Sequence, residues 1–334
     1  MDDVVIINAE LVNDVLNQDK QHIINIVRDT YLNYHNGACI NPDSFFLRFP
    51  DSDRNRIIGL AASNTTGDNK ISGIKWIASY PDNLEINLPR ASASIILNDY
   101  NTGRTKAFIE GTFISAARTA ASATLAATLL ITNKMIEHTL LFVGCGVISK
   151  TIMDFIQVSD IKLNTVYLYD IKTGSASQLK QSIQEKYDLN VVVVSTLNEG
   201  IRQADLIVFA TTEVKPYLST DHIHLDELEG KVILGISLRD ICPDIVINLN
   251  NIVDDIDHCL KANTSVHLTE QQYENRQFIN GNMSDLINGT NTLDASKPTL
   301  FSPFGMGVLD LNVAKYVYDS IQRDQLGLRC GFYL

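Results

Sequence analysis

Leu140-Leu141-Phe142-Val143-Gly144-Cys145-Gly146 decides the fold of this chain. Its apolar, partly β-branched start reads as a buried strand, and the Gly-x-Gly that follows reads as a tight turn opening a helix. The first glycine makes the turn, and the second lets a pyrophosphate approach the backbone. Val147, Ile148 and Ser149 continue the segment, with Ser149 at the third-glycine position of Gly-x-Gly-x-x-Gly. That position needs a small residue for close helix-to-strand packing, which serine partly satisfies. The helix start presents free N–H groups and a positive dipole end to phosphates.

One Gly-x-Gly turn is a weak signal, so its surroundings matter. Short apolar runs at 139–143, 165–169, 191–194, 205–209, 231–236 and 251–253 alternate with helical segments. This alternation predicts an α/β fold, a doubly wound parallel sheet of the Rossmann type. The strand Val166-Tyr167-Leu168-Tyr169 ends in Asp170, 24 residues past Gly146, where a ribose-binding carboxylate belongs. A carboxylate there accepts from ribose hydroxyls and repels a 2′-phosphate, which favours NAD over NADP; Lys172 pulls the other way. The expected cofactor contacts are Gly144, Cys145, Gly146, Val147, Ile148 and Asp170. A Rossmann-like domain without a cofactor, or with another nucleotide, stays open.

The first half reads differently. Residues 4–7 form a short β-branched run, and apolar positions over 14–35 recur with a helical period. Strands are expected at 56–62, 71–78, 91–97 and 105–110, the last two joined by the turn formers of 98–103. Small residues over 112–131 predict a helix packed closely on both sides. Residues 262–300 are polar and rich in Asn, with helical pieces near 269–278, and the Phe304–Asp310 segment leads into a final helix to about residue 325.

The bulk numbers narrow the function class. The 334 residues suit two domains, and a formal net charge of -12 with scattered Lys and Arg excludes nucleic acid and anionic membrane as partners. Five cysteines without a Cys-x-x-Cys pair fit free thiols, and the seven histidines show no metal-ligand grouping beyond His222 and His224, so no metal is expected. The N-terminal residues lack a basic leader pattern, and the most apolar stretch, Thr124–Ile131, is too short to span a bilayer. The sequence therefore reads as a soluble cytoplasmic protein.

Four cations sit in apolar or small-residue company: Arg48, Lys75, Arg90 and Arg118. Burying a cation without a partner is costly, so each either meets an internal carboxylate, snorkels to solvent, or serves a shared anionic substrate, with a carboxylate favoured. Arg suits bidentate carboxylate binding, and a desolvated Lys75 also suits a general base. Asp240 follows the strand Val232–Ile236, at the carboxyl edge where doubly wound sheets bind ligands, and can hold an amine or handle a proton. An ordinary loop aspartate is the plainer alternative.

Taken in order, Arg48, Gly73-Ile74-Lys75-Trp76, Arg90-Ala91-Ser92, Ile95–Asp99, Arg118-Thr119-Ala120-Ala121 and Val143–Gly146 resemble the ornithine cyclodeaminase and mu-crystallin family. The resemblance extends to Asp240 and Gly305-Met306-Gly307, and is strongest to the 2,3-diaminopropionate-forming branch. It implies a homodimer with an α+β substrate-binding and dimerisation domain from 1–130 and 303–334, and an NAD-binding domain over 131–302. It implies that Arg48, Lys75 and Arg118 grip an α-carboxylate, that Asp240 lies close to the substrate nitrogen, and that Thr119 approaches the cofactor phosphates. Ser92, Thr211, Ser237 and Met306 carry over as further cofactor contacts. Lys75 and Asp240 are the implied catalytic pair, and Arg90 is the candidate for a second carboxylate.

The implied reaction is NAD-dependent cleavage of N-(2-amino-2-carboxyethyl)-L-glutamate to L-2,3-diaminopropionate and 2-oxoglutarate, a step of siderophore or other secondary-metabolite synthesis. Cyclodeaminases carry a Gly-Gly-Asp-Cys-Pro-Gly-Lys type of segment, whereas this chain has Ser237-Leu238-Arg239-Asp240-Ile241-Cys242-Pro243-Asp244, which argues against ornithine. An ornithine or lysine cyclodeaminase, an imine reductase, an amino acid dehydrogenase and a non-catalytic, crystallin-like binder are the alternatives.

Overall fold

The computed structural model describes residues 3–333, apart from the side chains of Asp53 and Asp68. The chain divides into two compact units, one ending at Ala121 and resuming at Gly305, the other running from Ser122 to Phe304. The division falls inside a helix, earlier than the expected end of the first domain at residue 130.

The first unit opens with β1 (Asp3–Ile7), α1 (Ala9–Gln18) and α2 (Lys20–His35). The sequence predicts one helix over 14–35, but Asp19 interrupts it: its non-helical backbone ends α1 and its carboxylate accepts from His22 N, capping α2. Then come β2 (Cys39–Ile40), β3 (Phe45–Phe49), β4 (Ser52–Asn64), β5 (Ile71–Ser79), β6 (Ala91–Asn98) and β7 (Thr105–Glu110). These form an eight-stranded sheet, with β1 parallel to β7, the rest antiparallel, and β16 (Leu328–Gly331) along the outer edge of β1.

Helix α3 (Thr112–Leu130) follows β7, and both carboxylate oxygens of Glu110 accept from its first amides, at 2.7 Å from Thr112 N and 3.2 Å from Phe113 N. By length and composition α3 is long and apolar enough to cross a membrane, which the shorter Thr124–Ile131 reading missed; 72% of that window is buried, as in a core helix. Helix α11 (Gly307–Arg323) lies on one face of the sheet, against β4, β5 and β6. Two glycines line this contact: a Cβ on Gly307 would stand 3.0 Å from Leu60 Cβ, and one on Gly73 would stand 3.4 Å from Leu311 Cδ2.

The second unit is the expected doubly wound sheet. Its elements are β8 (His138–Val143), α4 (Val147–Ile156), β9 (Leu163–Tyr169), α5 (Thr173–Gln184), β10 (Asn190–Val193), α6 (Leu197–Gln203), β11 (Leu206–Phe209), β12 (Val232–Gly235), α7 (Pro243–Val246), β13 (Asn250–Val253), α8 (Ile256–Cys259), α9 (Ser265–Tyr273), β14 (Ile279–Asn282), α10 (Met283–Asn288) and β15 (Thr299–Ser302). The strand order is β10-β9-β8-β11-β12-β15-β13-β14, with every pair parallel. β11 and β12 are buried along their whole length and β8 at every position but Thr139, which explains why they read as nearly unbroken apolar runs. Residues 262–300, polar in sequence with helical pieces expected near 269–278, hold α9, β14, α10 and the start of β15. Strand order reverses between β8 and β11, the switch point where such sheets bind ligands.

Candidate functional site

At the switch point the expected dinucleotide turn takes the required form. Gly144 has φ +88, and a Cβ there would lie 2.5 Å from Ala210 O. No L side chain fits that conformation and that gap together. Nothing stands within 4 Å of the corresponding point on Gly146, which caps α4 with its backbone exposed. Val147 is exposed and Ile148 half-buried, so the free amides of the first turn of α4 face open space. Ser149 is fully buried and donates to Gly144 O at 2.5 Å, so the departure from glycine ties the turn together.

Asp170, half-buried at the end of β9, accepts from Cys145 N at 2.8 Å on one oxygen and from Lys172 N at 2.7 Å on the other. Each oxygen keeps a second lone pair for a ribose hydroxyl. The Cys145 thiol is buried and pushed up to about 12, by desolvation and then by Asp170, so it stays protonated and fills space. This arrangement of turn, free helix start and carboxylate fits a dinucleotide.

On the same carboxyl edge, Asp240 is 2% exposed and ringed by hydroxyls. Thr211 Oγ1 donates to its Oδ1 at 2.5 Å, Tyr217 Oη donates at 3.2 Å, and Ser237 Oγ donates to Oδ2. Burial still outweighs these donors and raises the Asp240 pKa above the usual carboxylate range. Burial and Asp240 together push the Tyr217 phenol up. Sequence reading missed Tyr217, whose only signal was an aromatic in the polar segment after β11.

The backbone entering Asp240 is strained: Leu238, a bulky residue, has φ +76. This left-handed conformation costs about 1–2 kcal/mol. It is held by neighbours, since Ser265 N donates to Leu238 O at 2.7 Å and Arg239 donates to the carbonyls of Ala262 and Asn263. Such strain collects at functional segments.

In the first unit, two of the four cations meet. Lys75, 1% exposed on β5, donates to Asp310 Oδ2 at 2.6 Å and to Ser115 Oγ at 3.2 Å. Arg118, on α3, donates through Nε to Asp310 Oδ1 at 3.2 Å. An internal carboxylate therefore does pair with both, and among the described residues these two cations share that one anion. Burial lowers Lys75 to about 8, with Asp310 opposing that fall and Arg118 adding to it. Gly305, at φ +98, clears the guanidinium: a Cβ there would stand 2.9 Å from Arg118 Nη1. The Gly305-Met306-Gly307 segment thus seats Arg118 with its first glycine and α11 with its last.

The other first-unit candidates lie apart. Arg48 is exposed on β3, with its guanidinium 5.5 Å from the centre of the Phe46 ring. Arg90 is half-buried and donates to Ser79 Oγ at 3.1 Å. Thr119 donates to Ser115 O at 2.7 Å, one helical turn back. The Met306 side chain is fully buried. Ser92 is exposed, and its pairing with Ala78 puts it on the sheet face opposite Lys75. Asp310, unmarked in the sequence reading, is the centre of this cluster.

The ornithine cyclodeaminase/mu-crystallin family model matches residues 5–325. The N-((2S)-2-amino-2-carboxyethyl)-L-glutamate dehydrogenase of Staphylococcus aureus is 27% identical over 83% of this chain and 82% of its own length. Among solved structures, the Delta(1)-pyrroline-2-carboxylate reductase of Thermococcus litoralis, in complex with NADH and L-proline, superposes with a TM-score of 0.88 at 21% identity, over 97% of this chain and 99% of its own. An archaeal alanine dehydrogenase dimer with bound NAD gives 0.85 at 22% identity, over 99% and 100%.

Proposed function

Because the chain belongs to the ornithine cyclodeaminase/mu-crystallin family, we propose that it is an NAD-dependent oxidoreductase acting on the CH–NH bond of an amino acid. The specific reaction is cleavage of N-(2-amino-2-carboxyethyl)-L-glutamate to L-2,3-diaminopropionate and 2-oxoglutarate. The observation that carries the reading is the placing of Asp240, a carboxylate with a raised pKa, on the same sheet edge as the Gly144–Gly146 turn and Asp170. The 27% identity to the Staphylococcus aureus dehydrogenase supports the substrate.

Gly144, Cys145, Gly146, Val147 and Ile148 hold the pyrophosphate, and Asp170 holds the ribose hydroxyls. Thr211 and Ser237 extend this surface along the edge, and Ser92, Thr119 and Met306 are further proposed cofactor contacts. NAD, when bound, supplies the acceptor for the hydride leaving the glutamate α-carbon. Lys75 and Arg118 hold the α-carboxylate, with the positive charge that Asp310 leaves uncompensated. Arg48 is the third contact to that α-carboxylate, and Arg90 binds a second carboxylate on the same substrate. Asp240 takes the amine proton as the substrate C–N bond becomes an imine, releases it to solvent, and, ionised again, takes a proton from the water that adds to the imine carbon. Collapse of that adduct breaks the C–N bond and frees the amine of 2,3-diaminopropionate.

The enzyme acts as a homodimer. The sheet face opposite Lys75 presents Trp76, Phe45 and Leu47, which are 40%, 61% and 36% exposed, and a second copy covers this apolar surface. Its charge and fold fit a cytoplasmic, metal-independent enzyme.

Purified protein with NAD and N-(2-amino-2-carboxyethyl)-L-glutamate should release NADH and 2-oxoglutarate in equal amounts. Ammonia and a cyclic imino acid from ornithine, with no net NADH, would overturn this in favour of a cyclodeaminase.

A further inference from the structure

We propose that Tyr217 is a positioning residue for Asp240: with Thr211 it occupies carboxylate oxygen Oδ1, and so makes Oδ2 the oxygen at which Asp240 takes and releases protons. The proposal deepens the reading of Asp240 as the base and rests on it. It starts from a short ribbon beyond the sheet edge. Leu218 and Ile241 pair as an isolated parallel bridge. The amides of Tyr217 and Leu218 both donate to Asp240 O, each at 3.0 Å, and Cys242 N donates to Leu218 O at 2.8 Å. Pro216, just before, has no amide to pair and fixes the chain's entry. Leu218 and Ile241 are 1% and 2% exposed, in the core of the second unit. Side chains alternate along extended backbone. Tyr217 and Asp240, each one residue earlier, therefore stand together on the other side.

The Tyr217 ring packs against that core, and its hydroxyl donates to Asp240 Oδ1 at 3.2 Å. Backbone bonds hold one end of the residue and ring packing holds its middle, so the hydroxyl has a set place. Thr211 is oriented as well. Its Oγ1 accepts from Glu213 N at 3.2 Å, which turns its O–H toward Asp240 Oδ1, 2.5 Å away. Ser237 is the hydroxyl that donates to Oδ2.

This split of donors governs the chemistry. Each carboxylate oxygen offers two lone-pair directions. Both on Oδ1 are taken by hydroxyls, whereas Oδ2 meets one hydroxyl and keeps the freer lone pair. A proton arriving at Oδ1 would have to displace a hydroxyl; one arriving at Oδ2 displaces none. With the proton on Oδ2, Oδ1 becomes the carbonyl oxygen and still accepts from Tyr217 and Thr211. These two hydroxyls thus keep their places through the cycle, and one oxygen serves both proton transfers.

The test is infrared difference spectroscopy of the full-length protein between neutral and mildly acidic pH, where burial lets Asp240 protonate ahead of ordinary carboxylates. The band missing from Asp240→Asn is its carboxyl C=O stretch. That stretch rises when the carbonyl oxygen loses a hydrogen bond. Tyr217→Phe, which keeps the ring, and Thr211→Val, which keeps the shape, should each raise it. Ser237→Ala should move it far less. A stretch that Tyr217→Phe leaves unmoved, or that Ser237→Ala moves most, overturns the proposal; if Tyr217→Phe does not fold, Thr211→Val against Ser237→Ala decides the oxygen. In turnover, Tyr217→Phe should lower kcat about tenfold or more, as for a misplaced general base, and a wild-type kcat overturns the role. The spectra need no substrate. A wild type that releases no NADH from N-(2-amino-2-carboxyethyl)-L-glutamate therefore removes the proposed reaction, while the band still decides which oxygen of Asp240 is protonated.

Discussion

Asp310→Asn tests the centre of the first-unit cluster. The substitution keeps the shape of a fully buried side chain and removes its charge. It leaves Lys75, which had a carboxylate at 2.6 Å, and Arg118, which had one at 3.2 Å, without a counter-ion. Removing one partner of a buried ion pair costs about 3–5 kcal/mol. The cost depends on pH through Lys75. Burial holds Lys75 at about 8 even with Asp310 raising it, so in the variant it falls lower still. A lysine whose folded pKa lies below its unfolded value binds fewer protons when folded, so stability rises with pH between the two values. That window extends further down in the variant than in the wild type. The stability gap should therefore be about 3–5 kcal/mol at pH 6 and narrower at pH 9. Urea unfolding of both proteins at the two pH values measures it. A variant as stable as the wild type at pH 6, or a gap that widens towards pH 9, refutes the reasoning.

Other perturbations follow from the same geometry. Gly144→Ala places a methyl 2.5 Å from Ala210 O at φ +88, and should weaken NAD binding at least tenfold, read by NADH fluorescence titration, with a lower Tm. Asp170→Asn removes the ribose acceptor charge and should raise the NAD Kd about 10- to 100-fold, at about 1.5–3 kcal/mol for a hydrogen bond to a charged group, while NADP binding weakens less. With Lys75 acting as a cation, kcat/KM should fall as pH rises through about 8; a rise there would mean that the neutral amine is the working form. The acid limb of kcat should lie above the ordinary carboxylate range, reflecting the raised Asp240, and Asp240→Asn should abolish that limb together with most of the activity.

The second unit was legible because its central strands are buried on both faces and leave nearly unbroken apolar runs in the sequence. β15 escaped notice because only Leu300 and Phe301 mark it, behind Lys297 and Pro298, although it sits between β12 and β13. The break between α1 and α2 was written in Asp19 as a cap, and the helical period across it obscured that signal. The cations at 75 and 118 were visible as charges in apolar company. Their partner was not, since Asp310 lies 235 residues beyond Lys75. Its one local sign is an acid inside Val308-Leu309-Asp310-Leu311, where every neighbour is buried. Lys75 could be identified as a cation needing an anion, but only the placing of α11 on β5 shows which anion.

That placing has a consequence for how the protein is made. Ser122–Phe304 has its full complement of strands before α11 is translated, whereas the unit begun by β1 waits for α11 and β16. Domains usually mature in the order in which they leave the ribosome. Here the earlier half is finished second. For most of synthesis Lys75 has no buried anion to meet, and the sheet face that α11 covers stays open. A nascent chain stalled before residue 307 would therefore carry a mature nucleotide-binding half and an unfinished substrate half.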